Sequence, residues 1–596
     1  MESVGHKHAE PQFVITSRNP PADYIFDVNE LNIATLLYRI ITKCSVASVS
    51  VRCFTLVGQA LIKPLIRRLL NKKLLKEVVL FTPSNADEQS FYLLPWWIYI
   101  ASHSDYSENW RALAKSEGVI LQLGAVGTRQ AQNGWLADYL YKQQYCSAIA
   151  THLASYTQRP CVFSGLQAHD NHKTLVGIIG SLASASAQLR RLVVVFTNGI
   201  NLLTVITVAL VFLLLRVRYR VKKTMVNFAA YPRIWDYHIP SLTKLIQHSK
   251  TFCYDPESPA AAQFCLNSGV GNLAYFKDTV IHPSTVPQYL ITAIYYVIQD
   301  YIQFLTYNPI VCKNLLLCRF KEAVYLNFFH QYQTKYLFCT ADYIPDHAIR
   351  SAALRRTGGT SIGIAHGLAN YAPYPNWQFL DYDLYFGLSL NLYEKDYSGT
   401  WSKNMVFQAI QTPHGERDHS RVFPKSNAVT WFLNHDFEEN WMVDQIRILA
   451  TELPGHQIYI RPRPTLEAHL KSMLEKILQL QLSNIDIITA DPSYGSYDLL
   501  ERSKYCITTG STMTIEAIQF NTIPFCLDFH PDLVNFFYRR YPFICYSTIS
   551  SITSRICEIE THPDTFSWQA YAGLADITAP ALGDTLTSLA LGTPAG

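Results

Sequence analysis

A chain of 596 residues exceeds what a single hydrophobic core supports, so two or more domains are expected. Apolar side chains at 49% and charged ones at 16% describe a globular protein on the apolar, membrane-associated side of the range, and a net charge of +4 without a dense Lys/Arg run excludes a nucleic-acid binder. Thirteen scattered cysteines with no C-x-x-C pair exclude a disulfide framework or zinc site and fit reduced thiols in a cytoplasmic setting.

Residues 1–21 are polar and carry His, Glu and Pro, so no secretory signal peptide is expected. Residues 13–16 read as a strand and 31–41 as a helix. Residues 61–76 set Lys63, Arg67, Arg68, Lys72, Lys73 and Lys76 among leucines and isoleucines. Such a basic amphipathic helix either presents a solvated face or lies on an anionic membrane surface. Strands at 77–81 and 118–123, with helices around 110–116 and 135–155, make an α/β unit. Residues 192–215 then run for 24 positions without a charge, between Arg190, Arg191 and the basic run Arg216, Arg218, Arg220, Lys222 and Lys223. That length reaches the ~20 residues needed to cross a bilayer. Asn198, Gly199 and Asn201 count against a span, because polar side chains are costly in hydrocarbon. Three arrangements stay open: a span with its C-terminal side in the cytoplasm, a membrane-embedded hairpin with 175–189, or a buried core helix.

From 223 onward the pattern sharpens into strands and helices in alternation, the mark of a parallel sheet. Strands are expected at 223–229, 335–339, 361–365 and 382–387, and helices at 287–307, 315–334 and 346–356. Polar and turn residues take over at 388–425. Strands then fall at 428–433, 456–460, 485–489, 505–508 and 523–527. Between them lie helices at 438–453, 466–478, 497–502 and 513–520, and a terminal helix follows 567. Ligands of such sheets sit outside the carboxyl ends of the strands. Two turns there stand out. Arg461 and Arg463 flank Pro462 on an extended chain, so both point to one face and can grip a phosphate; otherwise one is structural and the other exposed. Gly510, Ser511 and Thr512 open a helix whose free N–H groups suit a phosphate, with Glu516 in its first turns.

The segments TSIGIAHG at 360–367, YDLYFG at 382–387, YIRPRP at 459–464 and DLLERSKYCITTGSTMTIEAIQFNTIPF at 498–525 together resemble the GT-B glycosyltransferases. The closer likeness is to the bacterial surface-polysaccharide branch of capsule, polysialyl-type and teichoic-acid-type transferases, and sugar epimerases of the same fold share the last segment. The resemblance covers roughly 335–530 and implies an α/β fold of two Rossmann-like domains facing a cleft. With the polar, turn-rich stretch as the boundary, the expected division is an acceptor-side region at 1–390, a linker at 391–425, a donor-binding domain at 426–570 and a tail at 571–596, and residues 1–330 carry no resemblance of this kind. Gly510, Ser511 and Thr512 would cradle the donor phosphate, with Glu516 on ribose or sugar hydroxyls. Arg461 and Arg463 would offset charge on the leaving nucleotide. His366, before Gly367, would take a proton from the acceptor or bond the donor phosphate. His435 and Asp436 would be cleft contacts. Asp381 and Asp383 form an Asp-x-Asp, but GT-B enzymes generally need no bound metal, so neither metal nor cofactor is expected.

The resulting expectation is a glycosyltransferase at the cytoplasmic face of the cell membrane. It would move a sugar or polyol phosphate from a nucleotide-activated donor to a surface polysaccharide or lipid-linked acceptor. The alternatives are a nucleotide-sugar epimerase or hydrolase of the same fold, and a non-catalytic GT-B-like scaffold in polysaccharide synthesis.

Overall fold

The structure, a computed structural model, describes four short strands before residue 82, residues 126–137 and 187–231, and most of the chain from 251 to 591. His366, His435 and Asp436 lie outside the described residues, as do the elements expected at 31–41, 61–76, 110–116 and 118–123, residues 175–186, and most of the helix expected at 135–155. Strands β1 (Phe13–Ile15), β2 (Tyr24–Val28), β3 (Ser48–Cys53) and β4 (Glu77–Phe81) form a sheet in the order β1-β4-β3-β2, parallel except for the β1–β4 pair.

A second sheet is built from β5 (Thr224–Tyr231), β6 (Thr251–Tyr254), β7 (Leu273–Ala274), β8 (Tyr332–Cys339), β9 (Thr360–Ile364), β10 (Leu384–Gly387) and β11 (Val406–Ala409). Every neighbour pair is parallel, in the order β11-β10-β9-β8-β5-β6-β7. The third sheet holds β12 (Ser426–Leu433), β13 (Gln457–Pro462), β14 (Ile485–Ile487), β15 (Ser503–Thr508), β16 (Ile523–Leu527) and β17 (Cys545–Tyr546), also wholly parallel, in the order β14-β13-β12-β15-β16-β17. In both large sheets the first three strands step outward one way and the rest step outward the other way. That is the order 3-2-1-4-5-6 of doubly wound sheets, repeated twice along one chain. The fold class expected from the sequence, two Rossmann-like α/β layers, is the one observed.

Sheets covered on both faces need continuous apolar strands. β16 is buried along its whole length, and so are the last six residues of β12. One cover of the third sheet comes from α6 (Glu439–Glu452), through Met442, Ile446 and Leu449, with α7 (Glu467–Gln479) adding Met473, Leu474 and Ile477 to the same core. Another comes from α10 (Ile549–Thr561), through Ile549, Ile552 and Ile556 at helical spacing. The second sheet is crossed by α5 (Asp346–Arg356). It also rests on α4 (Pro309–Gln331), and helices α1 (Ala187–Arg216), α2 (Val286–Leu290), a π-helical turn Ile291–Tyr295 and α3 (Tyr296–Phe304) pack in turn on α4.

Residues 192–215 fall within α1, a helix long and apolar enough to cross a membrane that also packs one face on its neighbours. One face, with Val205, Ala209 and Leu213, is buried. Tyr289 O–H donates to the Ala209 carbonyl at 2.9 Å, and Asn198 Nδ2 donates to the carbonyls of Leu305 (2.8 Å) and Tyr307 (2.9 Å). Asn201 Nδ2 reaches the Pro309 carbonyl at 2.8 Å. The two asparagines therefore fasten α1 to the α3–α4 connection, which is why polar residues sit within an apolar run. The opposite face is exposed.

Two features depart from the domain boundaries read from the sequence. β11 falls inside the expected linker 391–425 yet forms the edge of the second sheet beside β10. Within the expected tail, α11 (Leu582–Leu591) crosses back and lays Leu582, Leu586 and Ala590 on Phe228, Phe338, Ile362 and Phe386 of that sheet. A shared core joins the two layers, with Tyr382, Tyr385 and Trp401 from one and Ile515, Ile518, Phe537 and Tyr538 from the other.

Candidate functional site

Each doubly wound sheet has a switch point where the strand order reverses, and ligands gather outside the carboxyl ends there. In the third sheet this lies between β12 and β15, and the Gly510–Ser511–Thr512 turn leaves from β15 at that place. Gly510 has φ +98°, in the left-handed region that glycine occupies without strain. Helix α9 (Met513–Gln519) follows.

The first turn of α9 uses most of its own donors. The Met513 N–H reaches Ser511 Oγ (3.3 Å), the Thr514 N–H reaches the Ser511 carbonyl (3.0 Å), and those of Ile515 and Glu516 reach the Thr512 carbonyl (2.9 and 3.1 Å). The expected cradle of free N–H groups therefore narrows to Ser511 and Thr512, whose N–H groups donate to nothing among the described residues. Tyr538 O–H donates to the Ser511 carbonyl and holds the turn from below. Thr508 and Thr514 share a hydroxyl–hydroxyl bond of 2.6 Å across it.

The turn faces the other layer directly. The Leu368 N–H donates to Thr512 Oγ1 at 3.0 Å, and a Cβ added to Gly367 would lie 2.9 Å from that same oxygen. Gly367, the described half of the sequence-predicted His-Gly pair, thus meets the Gly-Ser-Thr turn from the opposite layer.

Glu516 is buried at 3% exposure. Its carboxylate accepts from Thr412 Oγ1 at 2.7 Å and from the Tyr497 hydroxyl at 3.2 Å, while Gln519 Oε1 accepts from the Thr412 N–H at 2.6 Å. Both donors to Glu516 went unread in the sequence. Thr412 stands in a turn-rich connector without a motif, and Tyr497 looked like an ordinary residue of a short helix. Arg461 and Arg463 part company. Arg461 is buried in β13, paired with Phe432 of β12, and one guanidinium nitrogen donates to the Ile488 carbonyl at 2.9 Å. Arg463 follows the strand and is exposed.

Asp381 and Asp383 are both held by Arg355, at 2.6 and 3.1 Å, and Asp383 also accepts the N–H and hydroxyl of Ser361 at 2.7 and 2.8 Å. These carboxylates fasten α5 to the sheet. Among the described residues no three His, Cys, Asp or Glu side chains group as metal ligands.

The second sheet has its own switch point between β5 and β8. There the Arg350 guanidinium lies 3.9 Å from the centroid of the Tyr231 ring and donates to Cys339 Sγ at 3.4 Å, wholly buried. Burial pushes the Asp255 carboxyl nearby upward, against the pull of Arg350. Arg350 escaped the sequence reading, although its spacing from His347 and Leu354 puts it on the buried side of α5.

No family model matches the chain, and no curated protein matches its sequence. Among solved structures it is similar to UDP-GlcNAc 2-epimerase from Neisseria meningitidis bound to UDP-GlcNAc, with a TM-score of 0.39, 11% identity, and coverage of 62% of this chain and 100% of that one. It is also similar to HepE of Anabaena in complex with UDP (TM-score 0.34, 8% identity, 61% and 94% covered). A third is the wall teichoic acid polymerase TagF (TM-score 0.34, 9% identity, 61% and 88% covered). Likenesses this remote do not decide the reaction, and the fold class stands on the strand order and register of this chain's own sheets.

Proposed function

We propose that the chain is a glycosyltransferase that moves a sugar or polyol phosphate from a nucleotide-activated donor to a glycan or lipid-linked acceptor. One observation carries this reading: the Gly510–Thr512 turn sits at the switch point of one layer and touches Gly367–Leu368 of the other. A donor phosphate on the Ser511 and Thr512 N–H groups would have its transferable group facing the His366-Gly367 segment.

In the proposed reaction the acceptor hydroxyl gives its proton to His366, and its oxygen bonds to the donor carbon or phosphorus. The bond from that atom to the leaving nucleotide phosphate breaks. The phosphate takes the electron pair, and its growing charge is met by the Ser511 and Thr512 N–H groups and by the exposed Arg463. Arg461, buried and tied to Ile488, supports the strand that presents Arg463. Glu516, with one donor from each side of the α8 (Ser496–Arg502) and 412 region, is positioned for donor hydroxyls only through its remaining lone pairs.

The test is a thermal-shift series with UDP, CMP, CDP and GDP, followed by transfer from a labelled donor onto a membrane-extracted acceptor with donor hydrolysis and epimerisation measured in parallel. A ligand at 100 times its dissociation constant stabilises by ~2.7 kcal/mol. Nucleotide binding with transfer supports the proposal. Binding with epimerisation and no transfer replaces it by the epimerase, and no binding to any nucleotide replaces it by the scaffold.

A further inference from the structure

We propose that the outward faces of α1 and α3 form one platform that lies in the plane of an anionic lipid surface, so that the protein docks on one leaflet without crossing it. This inference stands apart from the transferase reading and uses none of its residues. α1 is apolar on both sides. Its inner face is fastened by Asn198, Asn201 and Tyr289, while Leu203, Val208, Leu210, Val211, Leu214 and Leu215 are exposed on the outer one. Beside it, Ile291, Tyr295, Ile298 and Ile302 recur every three or four positions on the π turn and α3, and all four are exposed. Both helices pack on α4 and on each other, Tyr301 lying against Gly199, so their outer faces are neighbours. An apolar surface of this breadth is uncommon on a soluble monomer.

The charges select the occupant. Residues 187–231 contain no Asp or Glu, and α1 runs directly into exposed Arg218, Arg220, Lys222 and Lys223, with Tyr219 exposed among them. On α3 the one acid, Asp300, is buried against Arg319 at 2.9 Å. An uncharged apolar face bordered by cations and a tyrosine matches the boundary between acyl chains and anionic headgroups. A second copy of this chain would bring the same cations against each other.

What α1 is fastened to argues against a span. Its inner face rests on α4, which carries Lys313, Arg319, Lys321 and Glu322. Pulling α1 across a bilayer would either strip it from α4 or drag those charges into hydrocarbon. Lying flat, thirty residues extend ~45 Å along the surface.

The full-length protein is exchanged from detergent into phosphatidylcholine vesicles with or without phosphatidylglycerol, and flotation is measured. Wild type is expected to float with the anionic vesicles. Leu203→Glu with Leu214→Glu, and separately Ile298→Glu with Ile302→Glu, should each lower the floated fraction by roughly tenfold. Arg218→Glu with Arg220→Glu should abolish the preference for phosphatidylglycerol. All three should keep the wild-type unfolding midpoint, because the positions are exposed. Absence of wild-type flotation, or unchanged flotation of the apolar variants, overturns the proposal. So does a wild-type dimer that the same variants convert to monomer without any flotation. Fluorophores at residues 192 and 215 should both be quenched by a reagent added outside the vesicles; protection of one of them establishes a span instead. None of these readouts depends on nucleotide binding or transfer.

Discussion

Thr512 Oγ1 accepts the Leu368 N–H at 3.0 Å, a bond between residues 144 positions apart that ties the switch-point turn of one layer to the strand end of the other. Gly367 is small because that oxygen is there: any Cβ would approach it to 2.9 Å. Whatever the turn holds is therefore held with the opposite layer already in contact.

The first prediction is a coupling. Gly367→Ala should weaken nucleotide binding about tenfold, or ~1.4 kcal/mol, by pushing the turn away. Thr512→Ala alone should weaken it as well, through loss of the interlayer bond. In the double variant the new methyl group has room, so the penalties should be less than additive. Isothermal titration of the four proteins measures this, and strictly additive losses would mean the two residues do not share the contact.

The arginines should separate into two kinds of effect. Arg461→Ala removes a buried side chain and leaves the Ile488 carbonyl without that donor, so it should cost about 1–3 kcal/mol of stability in urea unfolding. Arg463→Ala should leave the unfolding midpoint within ~0.5 kcal/mol while lowering turnover roughly 10²–10³-fold. Equal turnover in Arg463→Ala and wild type would remove Arg463 from the proposed mechanism.

Glu516 is predicted to combine both kinds. Glu516→Gln replaces one acceptor oxygen by a donor, so the Thr412 or Tyr497 hydroxyl must turn from donor to acceptor and a charge-assisted bond becomes a neutral one, at a cost of about 1 kcal/mol. If the remaining lone pairs hold donor hydroxyls, the variant should lose more affinity for a nucleotide sugar than for the same nucleotide without its sugar or ribose hydroxyls. Tyr497→Phe is the control, since it disturbs the carboxylate without removing it. Matching losses for both ligands would confine Glu516 to stability.

His347 gives a pH prediction. Burial drives its pKa down from 6.5 to about 3. The geometry agrees: Nδ1–H donates to the Ile344 carbonyl at 2.7 Å, Nε2 accepts the Asp381 N–H at 3.2 Å, and the ring stacks on Tyr382. Below about pH 6.5 the unfolded chain takes up a proton that the folded imidazole refuses. Stability therefore falls with falling pH across the interval from 6.5 toward 3, at a limiting slope of ~1.4 kcal/mol per pH unit. His347→Asn cannot titrate, so its urea midpoint should change less than that of wild type between pH 7 and 5. Parallel profiles would contradict the assignment.

Much of this was legible in the residues. Helix 346–356 and strand 523–527 were read with the observed bounds, because their periodicity is local and their ends are marked by Gly358, Asn521 and neighbouring turn residues. The switch-point turn was legible because glycine, hydroxyls and an acid sit within seven residues. β6, β7, β11 and β17 were missed, since two to four residues carry no period and their pairing is imposed by neighbours distant in sequence. α10 was missed too, its isoleucines being spaced by serines and threonines. The difference between Arg461 and Arg463 was beyond reach for another reason: strand alternation puts both on one face, and only the position of Ile488 decides that the first is enclosed. Thr412 and Tyr497 reach Glu516 from separate segments, and no spacing rule connects them.

The return of α11 to the second sheet sets an order of events during synthesis. The last strand of that sheet is complete at Ala409, yet Phe228, Phe338, Ile362 and Phe386 gain their cover only when residues 582–591 exist. A ribosome adding about 5–20 residues per second needs roughly 10–35 s to travel from one point to the other. Throughout that interval the nascent chain carries a finished sheet with one bare face, the time at which a chaperone has most to protect.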